Sequence, residues 1–312
     1  MTSLLSGTCD SPARALNSTK IYIKLGRRPT TMSTAETQLS TNRPSSVGEG
    51  LSALYTHREL LYQFARRNLL VSSRGTILGI GWLVIMPLLL MLMYSFVFGV
   101  IFGGRYGVIP SETGPEYALG IFLSLSIFQL FAEPMGSSPR LISSNPTLVK
   151  KVVFPLEILP CAHVAAQIVR FLVSASLVAI GALVFGKGIL LTWVWFPLCI
   201  APLIFLSLGV AYLFSSIGVF VRDLGELTRV LTTVFLFGSG VFFSMQRVPE
   251  SMRWILELNP LVHLLEQSRA TFLWGMPPDL TSLSYASAVS LVVFFLGLFS
   301  FQRLRDDFAD AI

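Results

Sequence analysis

From Ile77 to Phe102, and again from Ile189 to Val221, the chain carries no Asp, Glu, Lys or Arg. Each run exceeds the ~20 apolar residues that a helix needs to cross a hydrocarbon layer of ~30 Å. Neither run has a polar face on which to rest in water. Hydrophobic residues make up 53% of the 312 positions and charged ones only 13%, too few to clothe a soluble protein of this length. The fold class read from this is an all-α integral membrane protein. The formal net charge of +6 could suggest a nucleic-acid partner, but the basic residues flank apolar runs and form no stripe on a polar domain. The preference of Lys and Arg for inner loops explains them better, so no nucleic-acid partner is expected.

Residues 1–50 differ from the remainder. They are rich in Ser, Thr, Pro and Gly, hold no apolar run long enough for a signal-peptide core, and read as a disordered extension. Their basic residues weakly resemble an organelle transit peptide; a true start at Met32 is the alternative. Residues 51–312 form the membrane domain. Six spans fit: Ile77 to Phe102, about 117–139 interrupted by Glu133, about 156–185 containing Arg170, one within Ile189 to Val221, about 230–245, and about 282–301. Because the fourth run is longer than a perpendicular helix needs, tilt, a kink near Pro197 and Pro202, or an interfacial start is expected.

Loop charge sets the orientation. Eleven basic residues (Arg58, Arg66, Arg67, Arg74, Arg140, Lys150, Lys151, Arg222, Arg229, Arg303 and Arg305) fall on one side, against five (Arg105, Lys187, Arg247, Arg253 and Arg269) on the other. That places both termini in the cytoplasm. Ahead of the first span, Glu59, Gln63, Arg66 and Arg67 share one helix face and Leu61, Phe64, Ala65 and Leu69 another, the pattern of an amphipathic helix lying along the inner leaflet. Arginines at that depth can meet lipid phosphates at little cost, or can serve only to fix topology.

Catalytic signatures are missing. GALVFGKG, from Gly181 to Gly188, has the glycine and lysine spacing of a phosphate-binding loop, but Gly188 stands where Ser or Thr would ligate magnesium, and no strand precedes it. His57, His163 and His263 are isolated from one another, and Cys9, Cys161 and Cys199 have no ligand spacing. Two features inside the spans stand out. Arg170 is costly near mid-span unless paired or wetted, and His163, Gln167 and Arg170 share a helix face, with Glu133 on the neighbouring span as a possible counter-ion. The face serves either a structural pair or contact with substrate. Tyr94, Phe98 and Phe102 follow one another at four-residue spacing, a stripe suited either to packing or to stacking sugar rings in a channel.

In order along the chain, LLYQFARRNLLVSSRGTILGIGWLVIMPLLLMLMYSFVFGVIF, NPTLVKKVVFPLEILP, and VFVRDLGELTRVLTTVFLFGSGVFFSMQRVPESMRWILELNPLVHLLEQSRATFLWG resemble the membrane subunit of type-2 ABC transporters. The branch that exports O-antigen, capsule or teichoic acid is the nearest, and the resemblance runs over about residues 52–312. It implies six spans per chain, short re-entrant external helices after the fifth, a homodimer, and two copies of a separate ABC ATPase subunit. The ATPase, not this chain, would use ATP and magnesium; this chain would bind no cofactor or metal and would not itself be an enzyme.

Within that frame, Asn145, Pro146, Lys150, Lys151, Phe154 and Pro155 form the ATPase-coupling loop. Pro146 can start and Pro155 end a short helix whose apolar anchors and basic rim suit a groove on a soluble partner. An ordinary surface loop is the alternative. Arg66, Arg67 and Arg74 would hold the phosphates of an entering lipid-linked glycan, and Tyr94, Phe98, Phe102 and Arg170 would line the channel. The expected function is export of a lipid-linked polysaccharide across a bacterial inner membrane. A type-2 permease for a small drug or lipid, or a membrane-embedded glycan polymerase or ligase, are the rivals.

Overall fold

The computed structural model describes residues 56–71, 75–108, 110, 112–150, 154–185 and 188–312. The expected extension of residues 1–50, and the roles given to Arg74 and Lys151, lie outside the described residues.

Every element described is helical, as it must be where no water is present to satisfy backbone groups. The amphipathic helix α1 spans Arg58–Val71, with Glu59, Gln63, Arg66 and Arg67 exposed and Leu61, Phe64, Ala65 and Leu69 partly covered, as their spacing predicts. The first crossing is α2, Trp82–Tyr94, entered through a 3-10 turn at Gly79–Gly81 and prolonged by a π-helical stretch over Ser95–Ile101. Next come α3, Gly114–Ser137, opened by Pro115 and by a bond from the Thr113 N–H to the Glu116 carboxylate (3.3 Å), and the short α4, Pro146–Lys150. After them α5 covers Ile158–Val184 and α6 Phe196–Ile217. The long charge-free run ahead of α6 begins with a separate 3-10 turn, Leu191–Trp195. The remaining helices are α7, Leu224–Gly238; α8, Glu250–Glu257; α9, Pro260–Phe272; α10, Leu280–Leu304; and α11, Phe308–Ala311.

Among the described residues, five helical stretches are long and apolar enough to cross a bilayer: Gly79–Ile101, Gly114–Arg140, Ile158–Val184, Leu191–Ile217 and Leu280–Ala311. The segment expected as the fifth of six spans is instead α7, whose 15 residues reach about 22 Å at ~1.5 Å per residue. It stops at Gly238, and the chain turns at Gly240 with φ +69°, a left-handed conformation that favours glycine. Beyond the turn α8 keeps Met252, Trp254, Ile255 and Leu258 exposed, whereas α9 plunges back, burying Leu261, Leu264, Leu265, Ser268 and Phe272 among α3, α6 and α10. The expected pair of short helices after this segment is therefore present, and one of them belongs to the core.

At the centre lies α3, buried on all sides from Ala118 to Ser124, while α2 has no buried residue. The crossings α6 and α10 approach closely through two glycines. A Cβ built on Gly297 would overlap the Gly209 carbonyl oxygen, and one on Gly209 would meet the Phe294 backbone at 2.6 Å, so only glycine permits this contact. One end of the bundle gathers α1, α4 and α11 around Tyr212, Phe294, Leu298, Phe301 and Phe308; this is the terminal end. At the far end, α8 meets the start of α10, where the Tyr285 hydroxyl donates to the Leu258 carbonyl at 3.1 Å.

Candidate functional site

A cavity of about 730 Å³ opens between α1, α2, α3 and α5. Leu83, Met86, Pro87 and Leu90 of α2 and Phe122, Leu125 and Phe171 make it apolar along most of its wall. Arg66, Ser126, Gln129, Glu133, Gln167, Arg170 and Ser174 make the rest polar. The His163, Gln167 and Arg170 face predicted from their spacing does look onto Glu133, but the pairing differs from the simple counter-ion expected. One carboxylate oxygen of Glu133 takes His163 Nε2 at 2.6 Å and the Gln167 amide N–H at 2.5 Å. Gln167 then accepts from Arg170 through its own oxygen at 3.4 Å, and a second Arg170 nitrogen donates to the Asn68 carbonyl of α1 at 3.5 Å. Gln167 thus stands between acid and base, and Arg170 ties α5 to the interfacial helix. The Ser137 hydroxyl, 2.8 Å from His163 Nε2, completes the cluster.

Of the three arginines grouped by sequence, Arg66 lines this cavity, whereas the Arg67 guanidinium lies over the Phe64 ring, 5.8 Å from its centroid. The structure brings Arg66 together with Arg170 and turns Arg67 away from the cavity. Tyr94, Phe98 and Phe102 do form a continuous stripe, with ring centroids 6.0 and 5.8 Å apart despite the π-helical winding. Phe98 packs on Tyr117 and Phe242, Tyr94 borders the cavity, and Phe102 is exposed.

At the terminal end, Asn145 closes the turn before α4 by donating its amide to the Leu141 carbonyl at 2.9 Å, and Pro146 opens the helix as its restricted φ predicts. Among the described residues of this loop, the apolar ones turn toward the chain itself. Leu148, Val149 and Phe154 pack on the chain's own terminal-end cluster, and Phe154 lies 5.2 Å from Phe64 of α1. Pro146, Thr147 and Lys150 of α4 are exposed. Pro155 is half-buried where the loop turns into α5. Beside it, Glu157 is buried and pairs with Arg305, and its carbonyl accepts from the Tyr212 hydroxyl at 3.0 Å. The second loop of this end, leading into α7, is tied down by Glu226, which bonds Arg140 at 3.2 Å and Arg229 at 2.8 Å.

Sequence reasoning missed the residue that closes the far end. Arg269 of α9, counted above only as an external charge, is 1% exposed. Its Nη1 donates to the Gly240 carbonyl at 2.8 Å and to the Ser124 hydroxyl at 3.1 Å, and its guanidinium lies 4.4 Å from the centre of the Tyr106 ring. Tyr106 and Tyr117 donate in turn to the Val241 and Phe242 carbonyls at 2.8 and 3.1 Å. Three successive carbonyls just beyond the end of α7 are thereby satisfied by one cation and two phenols. A sequence signal existed: Leu265 and Phe272, at spacings of −4 and +3, place Arg269 on an apolar face. Nearby, burial raises the Glu112 carboxyl above its usual range, opposed by bonds from the Gly107 and Tyr106 N–H groups.

The sequence pattern of the ABC-2 type transporters matches residues 59–273. The O-antigen export system permease protein RfbA of Myxococcus xanthus is 29% identical over 263 residues, which cover 83% of this chain and 97% of that protein. The protein of the same name from Klebsiella pneumoniae is 26% identical over 256 residues, covering 81% and 95%. The polysialic acid transport protein KpsM of Escherichia coli is 26% identical over 214 residues, covering 65% and 80%. Together with a helical bundle of membrane-crossing length and an interfacial helix in front of it, these matches establish that the chain belongs to the ABC-2 type transporter family.

Proposed function

We propose that this chain is the membrane-spanning subunit of an ATP-driven exporter of a lipid-linked polysaccharide. The observation that carries the reading is its similarity, over nearly the whole length of those proteins, to permeases named for O-antigen export and, over most of its length, to a polysialic acid transporter. Two copies of the chain work with two copies of a separate ABC ATPase subunit, which supplies ATP hydrolysis with magnesium; this chain binds no cofactor. It resides in a bacterial inner membrane with both termini in the cytoplasm, so that the terminal end of the bundle faces the ATPase.

The parts have assignable roles. The loop of Asn145, Pro146, Lys150, Lys151, Phe154 and Pro155 receives the ATPase, with Lys150 outward and the apolar side chains turned inward to carry its displacement to α1 and α11. Arg66, Arg67 and Arg74 meet the phosphates of the arriving lipid carrier. Unburied α2, and the exposed line of Leu227, Val230, Val234 and Phe237 on α7, support a second copy of the chain facing them, with the Tyr94, Phe98 and Phe102 stripe and Arg170 bordering the path. Coupling would then be a rigid-body shift of crossings driven from the loop.

The test is export by the whole complex. Cells carrying the chain with its ATPase partner should display the glycan at their surface, and cells lacking it should accumulate lipid-linked glycan inside. Intact surface glycan together with lost efflux of a small amphiphile would point to the small-substrate permease instead.

A further inference from the structure

A second pocket, of about 450 Å³, lies at the far end where α8, α9 and the start of α10 meet, walled by Trp254, Glu257, His263, Thr281 and Tyr285. That volume falls within the ~300–1,000 Å³ of small-ligand sites. Three aromatic rings border it, and two of them are held in place. Tyr285 donates its hydroxyl to the Leu258 carbonyl at 3.1 Å and meets the His263 ring edge-on, with centroids 5.3 Å apart. His263 is anchored in turn, donating Nε2–H to the Glu257 carbonyl at 2.8 Å. Trp254 is 61% exposed and, among the described residues, meets no other ring and no cation. One indole face is thus left uncovered beside a fixed phenol.

The charge at this pocket has one sign. Glu257 follows Trp254 by one helical turn, and its carboxylate has no ion pair or hydrogen bond among the described residues. Arg253, the cation next to Trp254 in the chain, donates instead to the Val248 carbonyl at 3.5 Å. The N-terminus of α10 also borders the pocket and would attract an anion, but Asp279 already accepts from its Thr281 and Ser282 N–H groups. An unpaired carboxylate beside aromatic faces repels phosphate and is costly against acyl chains. It suits a cation whose surface is apolar.

We propose that this pocket binds an organic ammonium group, its alkyl surface against Trp254 and Tyr285 and its charge offset by Glu257. The inference depends neither on the exported cargo nor on the proposed function. The ammonium could head a zwitterionic lipid, since Trp and Tyr gather at bilayer interfaces, or belong to a free solute; the chemistry is shared.

The test is fluorine NMR on the purified full-length chain carrying fluorotryptophan at its five tryptophans, in nanodiscs of phosphatidylglycerol, which has no ammonium group. Trp254→Phe identifies the Trp254 signal, and the remaining signals report folding in every variant. Choline chloride should shift the Trp254 signal saturably, with a Kd on the order of 1–10 mM. Dimethylbutanol, its uncharged carbon isostere, should bind about fivefold more weakly. Glu257→Gln should weaken choline by about the same fivefold, and Tyr285→Leu by about two- to fivefold. Met252→Ala, which borders a separate pocket on α8, should bind choline as the parent does. Nanodiscs that include phosphatidylethanolamine or phosphatidylcholine distinguish the sources. A Trp254 signal already displaced and no longer answering choline names a lipid headgroup; an unmoved signal that still answers choline names a solute, and both support the site. Equal response to the isostere or to sodium chloride, no saturable shift below about 100 mM choline, or choline binding unchanged by both Glu257→Gln and Tyr285→Leu would overturn it. Failure of glycan export with choline binding intact would count against the proposed function and leave this site standing.

Discussion

The ring of Phe64 in α1 lies 5.2 Å, centroid to centroid, from that of Phe154, so the interfacial helix and the loop leading into α5 share one aromatic contact. One turn further along α1, the Asn68 carbonyl takes the Arg170 guanidinium. A displacement of the loop therefore reaches the cavity through a single rigid helix. Phe64→Ala is expected to cost about 2 kcal/mol, below the ~3–5 of a fully buried Phe because both rings are half-covered. It should also lower transport per ATP hydrolysed while the ATPase still copurifies. Proportional loss of transport and ATP turnover would argue against a mechanical link.

Charge reversal at the outward face of the loop is a separate matter. Lys150→Glu/Lys151→Glu should reduce copurification of the ATPase severalfold and leave membrane insertion unchanged, because Lys150 is exposed and makes no part of the terminal-end cluster. Unchanged copurification would remove this loop from the ATPase contact.

Arg269 should be among the least replaceable residues. Arg269→Met keeps bulk but leaves the Gly240 carbonyl and the Ser124 hydroxyl without this donor, at about 1–3 kcal/mol for each group stranded, while the Val241 carbonyl keeps the Tyr106 hydroxyl. Thermal unfolding in detergent should show a loss of several degrees, and Arg269→Lys should fall between Met and the parent, keeping charge but not the planar fork over Tyr106.

Two glycines should behave oppositely. Gly297→Ala drives a methyl into the Gly209 carbonyl and should cost about 1–3 kcal/mol by prising α10 from α6. Gly238→Ala, with nothing within 4 Å of the added carbon, should be neutral or slightly stabilising. Matched thermal denaturation of the pair separates close packing from helix propensity.

Asp279 caps α10, accepting from the Thr281 and Ser282 N–H groups at 3.1 Å and from the Ser282 hydroxyl at 2.7 Å. The Ser282 hydroxyl first, and then these N–H groups, hold its carboxyl below the usual aspartate range. Its stabilisation is therefore present above the unfolded value and lost as pH falls through the lowered one. Asp279→Ala should cost about 1 kcal/mol at neutral pH. Amide exchange at Leu283 and Ser284, corrected for intrinsic rate, should quicken on acidification in the parent and show no such step in Asp279→Asn.

How much of this was readable beforehand depended on whether the determining contact was local. Crossing length, the α1 faces and the start of α4 at Pro146 follow from spacing and composition within one segment, and each appears where expected. The polar face of His163, Gln167 and Arg170 was visible as a face, yet its pairing was not. Which of Gln167 or Arg170 meets Glu133 depends on the axial offset of two helices, and that offset is set by packing around Leu119 and Gly181. The early stop of the expected fifth crossing at Gly238, and the burial of α9 beyond it, were likewise hidden. They rest on Arg269 and the two tyrosines, which come from three separate stretches of chain. The inward turn of Leu148 and Val149 needed α11, more than 150 positions away, to be known.

The π-helical winding at Ser95–Ile101 has one more effect. By spending an extra residue on a turn, it rotates the residues beyond that turn, so that Phe102 does not repeat the direction Phe98 would impose on a regular helix. The two rings nonetheless lie 5.8 Å apart, so the aromatic line begun at Tyr94 carries across the change of winding without a break.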